Sequence, residues 1–491
     1  MKSLKTKYLS AIAGLALLAS CTKPGDFGDM NTDPNNPSDP NTALLFTNSI
    51  RSAISSPVDE PDGELYVQYL SEVQYTQASR YSSRVFDYST IYNGALADIQ
   101  RVIDLNTAND TKSLPAVLSG GSNANQIATA RILKAYVFLH LTDRWGDIPY
   151  SEALKGLANI QPKFDTQKSV YDSLFRELKE AVAMMDNGGA PSGDILLSSN
   201  LDWWKQWAAS IRMIMALRLS KIDADKGKTE FNEAWTAGTL ASNTYNVKYK
   251  FLSDANNQNR WYANYVVNKR YDYAVSTTFI NALKSFNDPR LPVYASVTST
   301  SNYVGMPYGL ATPSGYLAGT VTVPGNISLI GANFRQQNSA VSVTTYAQIL
   351  FAKAEAAHLG WITGGDAAAE GFYLDGIKAS LEQQGVGSSY TTYIAQPSVA
   401  FSAANAVEKI QTQKWIAGFL GNGYEAWAEW RRTGYPVLTP APDAAAISGG
   451  QIPRRQAYPT TENDLNKTNY NEVVSRQGAD ELYTRIWWDK Q

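Results

Sequence analysis

Glu425 and Glu429 stand four residues apart, which on a helix puts two carboxylates on one face, the residue types a glycosidase uses as acid and base. Arg431 and Arg432 follow at once. Catalytic carboxylates of glycosidases come from separate elements held at a set distance, so this pair reads as structural ion pairing instead. The two histidines, His140 and His358, both fall inside apolar-patterned helical stretches and read as core residues rather than general bases. One cysteine, Cys21, excludes a disulfide within the chain and a Cys/His zinc site. Asp29, Asn31 and Asp33 alternate like the first ligands of an EF-hand loop, but Pro34 and Pro40 occupy the positions that need Gly and Glu, so turn-forming residues are the better account. No nucleophile elbow or P-loop is present, and no catalytic, metal or cofactor site is expected.

What remains is chemistry of recognition. Carbohydrate binding sets an aromatic face against sugar C–H groups and flanks it with side chains that hydrogen-bond hydroxyls. Trp261, Tyr262, Asn264, Tyr265, Arg270, Tyr271 and Tyr273 supply that mixture, and Arg80, Tyr81, Arg84 and Tyr88 supply a second candidate edge. The chain holds 12 Trp and 29 Tyr, so the count alone does not separate ligand rings from packing rings. Trp203, Trp204, Trp207, Trp427 and Trp430 lie at helical spacing and are assigned to the scaffold.

The elements that must position these groups are mostly helices. Ile127, Ala130, Leu133, Val137 and Leu141 recur at three- and four-residue spacing, as do Val170 to Met185 and Trp204 to Ile222. Tyr346 to Ala357 and Ala369 to Leu381 form two stripes separated by Gly364-Gly365, the pattern of an αα-hairpin, and Ala406 to Gly418 and Tyr424 to Arg432 follow. Residues 242–340 differ: rich in Asn, Ser, Thr, Tyr and Gly, they read as irregular loops with short strands and one helix near Thr278 to Phe286. The tail from Ile452 reads as irregular, and no clean linker divides 43–491, which is expected to be a single domain.

The N-terminus reads as an export signal over residues 1–20, with Lys2, Lys5 and Lys7 ahead of an apolar stretch from Tyr8 to Ala19. Leu18-Ala19-Ser20-Cys21 is a lipobox pattern, which makes Cys21 the expected site of acylation and 21–42, rich in Asp, Asn and Pro, a lipidated tether. Loss of those three lysines takes the formal charge from -2 to -5, a balance that argues against nucleic acid as partner. No later stretch is apolar for long enough to span a bilayer.

ARILKAYVFLHLTDRWGDIPYSEAL at 130–154 resembles the helix and Trp-Gly-Asp-Ile-Pro turn of the SusD/RagB family, especially its SusD-like subgroup. WWKQWAASIRMIMALRLSKI (203–222), NDPRLPVYA (287–295), TYAQILFAKAEAAHLGW (345–361), QKWIAGFLGNGYEAWAEWRRTGYPVL (413–438) and IPRRQAYPTTEN (452–463) follow in the family's order. The resemblance implies a mainly α fold: a tetratricopeptide-like helical-pair scaffold carrying an irregular, loop-rich variable region. It also implies a surface-exposed outer-membrane lipoprotein that binds oligomeric nutrients, foremost glycans, and delivers them to a SusC-type TonB-dependent transporter. Peptide capture, as in RagB-like members, is the alternative binding function, and a surface glycoside hydrolase the alternative from another class.

Overall fold

The computed structural model describes residues 41–54, 60–83, 86–313 and 325–490. The signal segment, Cys21, the Asp29/Asn31/Asp33 run and Arg84 lie outside the described residues.

Helices dominate: α1 (Thr42–Ile54), α2 (Pro61–Tyr66), α3 (Ala97–Thr107), α4 (Asn123–Trp145), α5 (Gln167–Ala183), α6 (Leu201–Arg218), α7 (Ala224–Ala237), α8 (Thr277–Ser285), α9 (Tyr346–His358), α10 (Gly365–Gln383), α11 (Ala406–Ala417), α12 (Gly423–Thr433), α13 (Thr460–Leu465) and α14 (Lys467–Gln477). Short strands pair two by two and antiparallel: β1 (Leu70–Glu72) with β5 (Tyr273–Val275), β2 (Ile148–Pro149) with β3 (Phe164–Asp165), and β4 (Val247–Tyr249) with β6 (Val341–Thr344).

Local chemistry sets the helix starts. Ser122, Thr166, Asn200, Ser276, Thr345 and Asn422 each accept a hydrogen bond from a first-turn backbone N–H, satisfying a donor that the helix itself leaves orphaned. The pairs α4/α5, α6/α7 and α9/α10 pack as neighbouring helices, and the α9–α10 turn uses the positive φ of Gly364 and Gly365 (103° and 54°). Gly376 lets α9 and α10 approach closely, since a Cβ there would stand 2.8 Å from the Phe351 ring. The result is the tetratricopeptide-like arrangement of helical pairs that the sequence implied. Trp145, Trp204, Trp207, Trp427 and Trp488 are fully buried at its centre, while Trp203 and Trp430 pack against the core half-buried.

The Trp-Gly-Asp-Ile-Pro turn has a mechanical reason. Trp145 donates its indole N–H to the Ala457 carbonyl (2.9 Å), Gly146 turns the chain at φ 84°, and Asp147 accepts from the Gln167 N–H (2.7 Å) and the Arg476 Nε (2.8 Å). One turn thereby ties α4 to the start of α5 and to α14. The C-terminal tail, expected to be irregular, instead carries α13 and α14. Their exposed polar faces bury almost nothing apolar, Val473 alone in α14, so no hydrophobic period announced them.

The described residues of 242–340 are largely irregular, as expected, with α8 as their main helix. It is pinned to the scaffold by the NDPRLP segment: Arg290 forms a two-pronged ion pair with Asp288 (Nε–Oδ1 2.9 Å, Nη2–Oδ2 2.6 Å) and donates to Ser380 of α10 and Gln413 of α11. Among the described residues, no helix is long and apolar enough to cross a membrane.

Candidate functional site

The β1–β5 ribbon joins the first recognition edge, residues 261–273, to the segment that follows β1. Leu70, Ser71 and Glu72 pair with Val275, Ala274 and Tyr273, and the Val73 N–H donates to the Asp272 carbonyl at 2.6 Å. Just past β1, Tyr75 projects into solvent with 59% of its surface exposed and holds a left-handed backbone at φ 60°, a conformation that costs a non-glycine residue about 1–2 kcal/mol. The Arg270 guanidinium lies 5.3 Å above the Tyr75 ring and pairs with Asp272 at 2.8 Å. An exposed ring, a guanidinium over it and a carboxylate beside them thus share one edge. Asp272 is itself buried and holds the guanidinium, so Tyr75 and Arg270 are the exposed pair that can stack on a sugar face and donate to its hydroxyls.

The aromatic candidates divide by burial. Tyr262, Asn264, Tyr271 and Tyr273 are partly exposed, and Arg270 is exposed. Trp261 and Tyr265 are buried at 3% exposure: Asn259 caps the backbone N–H of Trp261, whose ring meets Tyr273 edge-on at 5.6 Å, and Tyr265 meets Tyr271 edge-on at 5.5 Å beneath Arg335. The Tyr265 hydroxyl donates to the Tyr273 carbonyl. These two rings hold up the edge and offer little surface of their own. Tyr81 is likewise buried, packed on Tyr66 and Tyr308, and Tyr88 packs edge-on against Trp145 while its hydroxyl donates to Glu462 at 2.8 Å. Arg80 is partly exposed and donates to the Asp443 carbonyl at 2.8 Å, fixing the loop after β1 to the 441–445 turn.

Tyr75 was not singled out in the sequence. It sits between Gln74 and Thr76 at the end of a three-residue strand, with no neighbouring stripe of the kind that marks packing rings. That isolation in a polar context was the available signal.

Electrostatics sort the carboxylates. Although burial pushes the Glu425 carboxyl up, Arg218, Lys414 and Arg432 outweigh it and hold it below the usual range, so it stays anionic. Arg218 reaches Glu425 at 2.7 Å and also pairs with Glu429, which Arg432 meets at 2.7 Å; Arg432 further binds Glu355 at 2.5 Å. This is the structural ion pairing expected of Glu425 and Glu429. Glu72 behaves oppositely: burial raises its carboxyl to about 7 even though the Ser79 N–H and hydroxyl donate to it at 2.9 and 3.0 Å. His140 is a core residue, kept neutral by burial and by Arg144 3.0 Å away. His358, expected in the core, is instead partly exposed and pairs with Asp366 at 2.6 Å, because α9 ends there and the α9–α10 turn leaves its last residue at the surface.

A family described as starch-binding and associating with the outer membrane matches residues 34–459. The chain belongs to the SusD-like family. Solved structures align over nearly its whole length: a chitin-binding protein (26% identity, TM-score 0.78) and a SusD-like protein of the Bacteroidetes (26%, 0.75), each matched over 92% of this chain and 100% of its own. A SusD homologue from Bacteroides uniformis shares the fold at 24% identity and TM-score 0.78 with the same coverage. A search of curated proteins returned no match. The helical-pair scaffold is therefore the SusD-like one, of a family described as starch-binding and associated with the outer membrane.

Proposed function

We propose that this SusD-like chain captures oligosaccharides at the outer-membrane surface and delivers them, uncleaved, to a SusC-type TonB-dependent transporter. The observation that carries the reading is the Tyr75–Arg270–Asp272 edge: a solvent-facing ring held on strained backbone, with charged hydrogen-bonding groups beside it. Tyr262, Asn264, Tyr271 and Arg80 extend the contact surface, and Trp261, Tyr265 and Tyr81 serve as its supports. The family's description as starch-binding and the chitin-binding relative favour a glycan over a peptide. Acylation at Cys21 supplies the anchor, and 43–491 acts as one binding domain on the 21–42 tether.

A hydrolytic reading has two raised carboxyls in its favour: burial lifts Glu72 to about 7 and, with Glu60 beside it, Asp62 to about 6. Glu72, however, is only 5% exposed and its Oε2 accepts from both the N–H and the hydroxyl of Ser79, so it offers little to a glycosidic oxygen. Titration of the full chain with malto-oligosaccharides, chito-oligosaccharides and a peptide panel, followed by product analysis, tests the proposal. Saturable binding of an oligosaccharide without products supports it. Binding of peptides alone, or cleavage that Glu72→Gln abolishes, overturns it.

A further inference from the structure

Behind the helical pairs lies a second polar cavity that the surface edge does not use. About 250 Å³ of space opens between β6, the end of α10 and the α11–α12 turn, with Lys248, Phe334, Gln348, Gln411, Lys414 and Trp415 among its walls. A water needs only about 10–15 Å³ of such space, so the cavity holds far more than one, yet it falls below the roughly 300–1,000 Å³ of drug-sized sites. It suits one ring, not a chain.

The wall is mixed in a particular way. Lys414 is 8% exposed and its ammonium pairs with Glu429 at 3.0 Å, which uses one of its three N–H groups and leaves others for a ligand. Gln348 and Gln411 each spend one amide N–H on Glu425 (3.1 Å) and Glu355 (2.7 Å), and each amide keeps a carbonyl acceptor and a second N–H. Trp415 and Phe334 add apolar faces. The buried charges around Lys414 are matched, Arg218, Arg432 and Lys414 itself against Glu425, Glu429 and Glu355, and burial lowers the ammonium of Lys248 at the wall, so no strong cationic excess draws in an anion. Burial and the two arginines already hold the Lys414 ammonium down at about 7, although Glu425 opposes them; a neutral oxygen that accepts from it completes the site without adding charge.

We infer that this cavity is a binding site for one neutral, hydroxyl-rich ring of about the size of a single sugar, with Lys414 as the principal donor. Hydroxyls serve such a wall because each both donates and accepts. The site shares no residue with the Tyr75–Arg270 edge, so it stands or falls separately from the oligosaccharide reading.

Calorimetric titration of the full chain with glucose, N-acetylglucosamine and glucuronate tests it, alongside two variants. Ala340→Trp places a large ring at the cavity mouth from an exposed position, with no core residue disturbed. Lys414→Met removes the ammonium and keeps the length. The expected result is one-to-one binding of at least one neutral sugar, weakened at least tenfold in Ala340→Trp and in folded Lys414→Met. Absence of neutral-sugar binding, binding of glucuronate alone, or wild-type affinity in Ala340→Trp or in folded Lys414→Met overturns the inference.

Discussion

The pin between the variable region and the scaffold can be broken by one substitution. In Asp288→Ala, Arg290 keeps its neutral partners Ser380 (2.8 Å), Gln413 (2.9 Å) and Tyr393 (3.3 Å) but loses both carboxylate oxygens, and at 0% exposure no water replaces them. Asp288 also accepts from the Tyr393 hydroxyl at 2.7 Å and from the Arg290 N–H at 2.9 Å, so those donors are stranded too. Stranding one member of a buried ion pair costs about 3–5 kcal/mol, and the extra lost acceptors put this case at about 4–5 kcal/mol. Urea unfolding followed by circular dichroism reads the change as a lower midpoint. The double variant Asp288→Ala/Arg290→Met removes the uncompensated charge and is expected to recover at least half of the loss, a coupling of about 2 kcal/mol or more. A single variant within about 1 kcal/mol of wild type, or a double variant as unstable as the two singles added, refutes the reasoning.

Three further outcomes follow from the site and the anchor. Trp261→Ala removes a ring at 3% exposure and its edge-on partner contact, so it is expected to cost about 3–5 kcal/mol of stability in denaturant melts, whereas a freely exposed ligand ring would cost under about 1. Glu72 is expected to make stability fall with pH: because its folded carboxyl is raised from 4.5 to about 7, the folded state binds the proton more tightly, and wild type should lose up to about 3 kcal/mol relative to Glu72→Gln as pH rises from 4.5 to 7, then level off. Parallel melts of the two proteins across that window check it, and a constant difference contradicts it. Cys21→Ala is expected to fold normally but leave the membrane fraction, since the proposed acyl chains would be lost and no helix among the described residues is long and apolar enough to cross the bilayer; retention of the variant in membranes of cells lacking the transporter counts against lipidation.

The scaffold was legible because apolar residues recur at helical spacing: the stripes Ile127 to Leu141 and Tyr346 to Ala357 became α4 and α9 within a few residues, although α4 is buried on all sides from Ala135 to Trp145. The Trp-Gly-Asp-Ile-Pro and NDPRLP segments could be recognised from the sequence, but their purpose was not visible there, since it lies in contacts with Ala457, Arg476, Ser380 and Gln413 from distant parts of the chain. The candidate site was legible as a region and not as a set of residues. Tyr and Trp types alone do not show which ring is capped into the core, as Trp261 is by its neighbour Asn259, and which stands free. Nor does local sequence announce that β1 pairs with β5, the pairing that brings Tyr75 under Arg270. The helices α13 and α14 escaped notice because they are polar nearly all round.

The central claim is that the edge built by β1 and β5 binds oligosaccharide. Calorimetric titration of wild type, Tyr75→Ala and Arg270→Ala with the tightest-binding oligosaccharide of the malto- and chito- series tests it most directly. Tyr75 is mostly exposed, so its loss leaves the melting transition in place, and the ring's stacking is worth about 1–3 kcal/mol by analogy with ring stacking on planar ligands. The account predicts affinity lower by about ten- to a hundredfold in Tyr75→Ala, with a loss in Arg270→Ala as well. Wild-type affinity in both variants, with the fold intact, contradicts it.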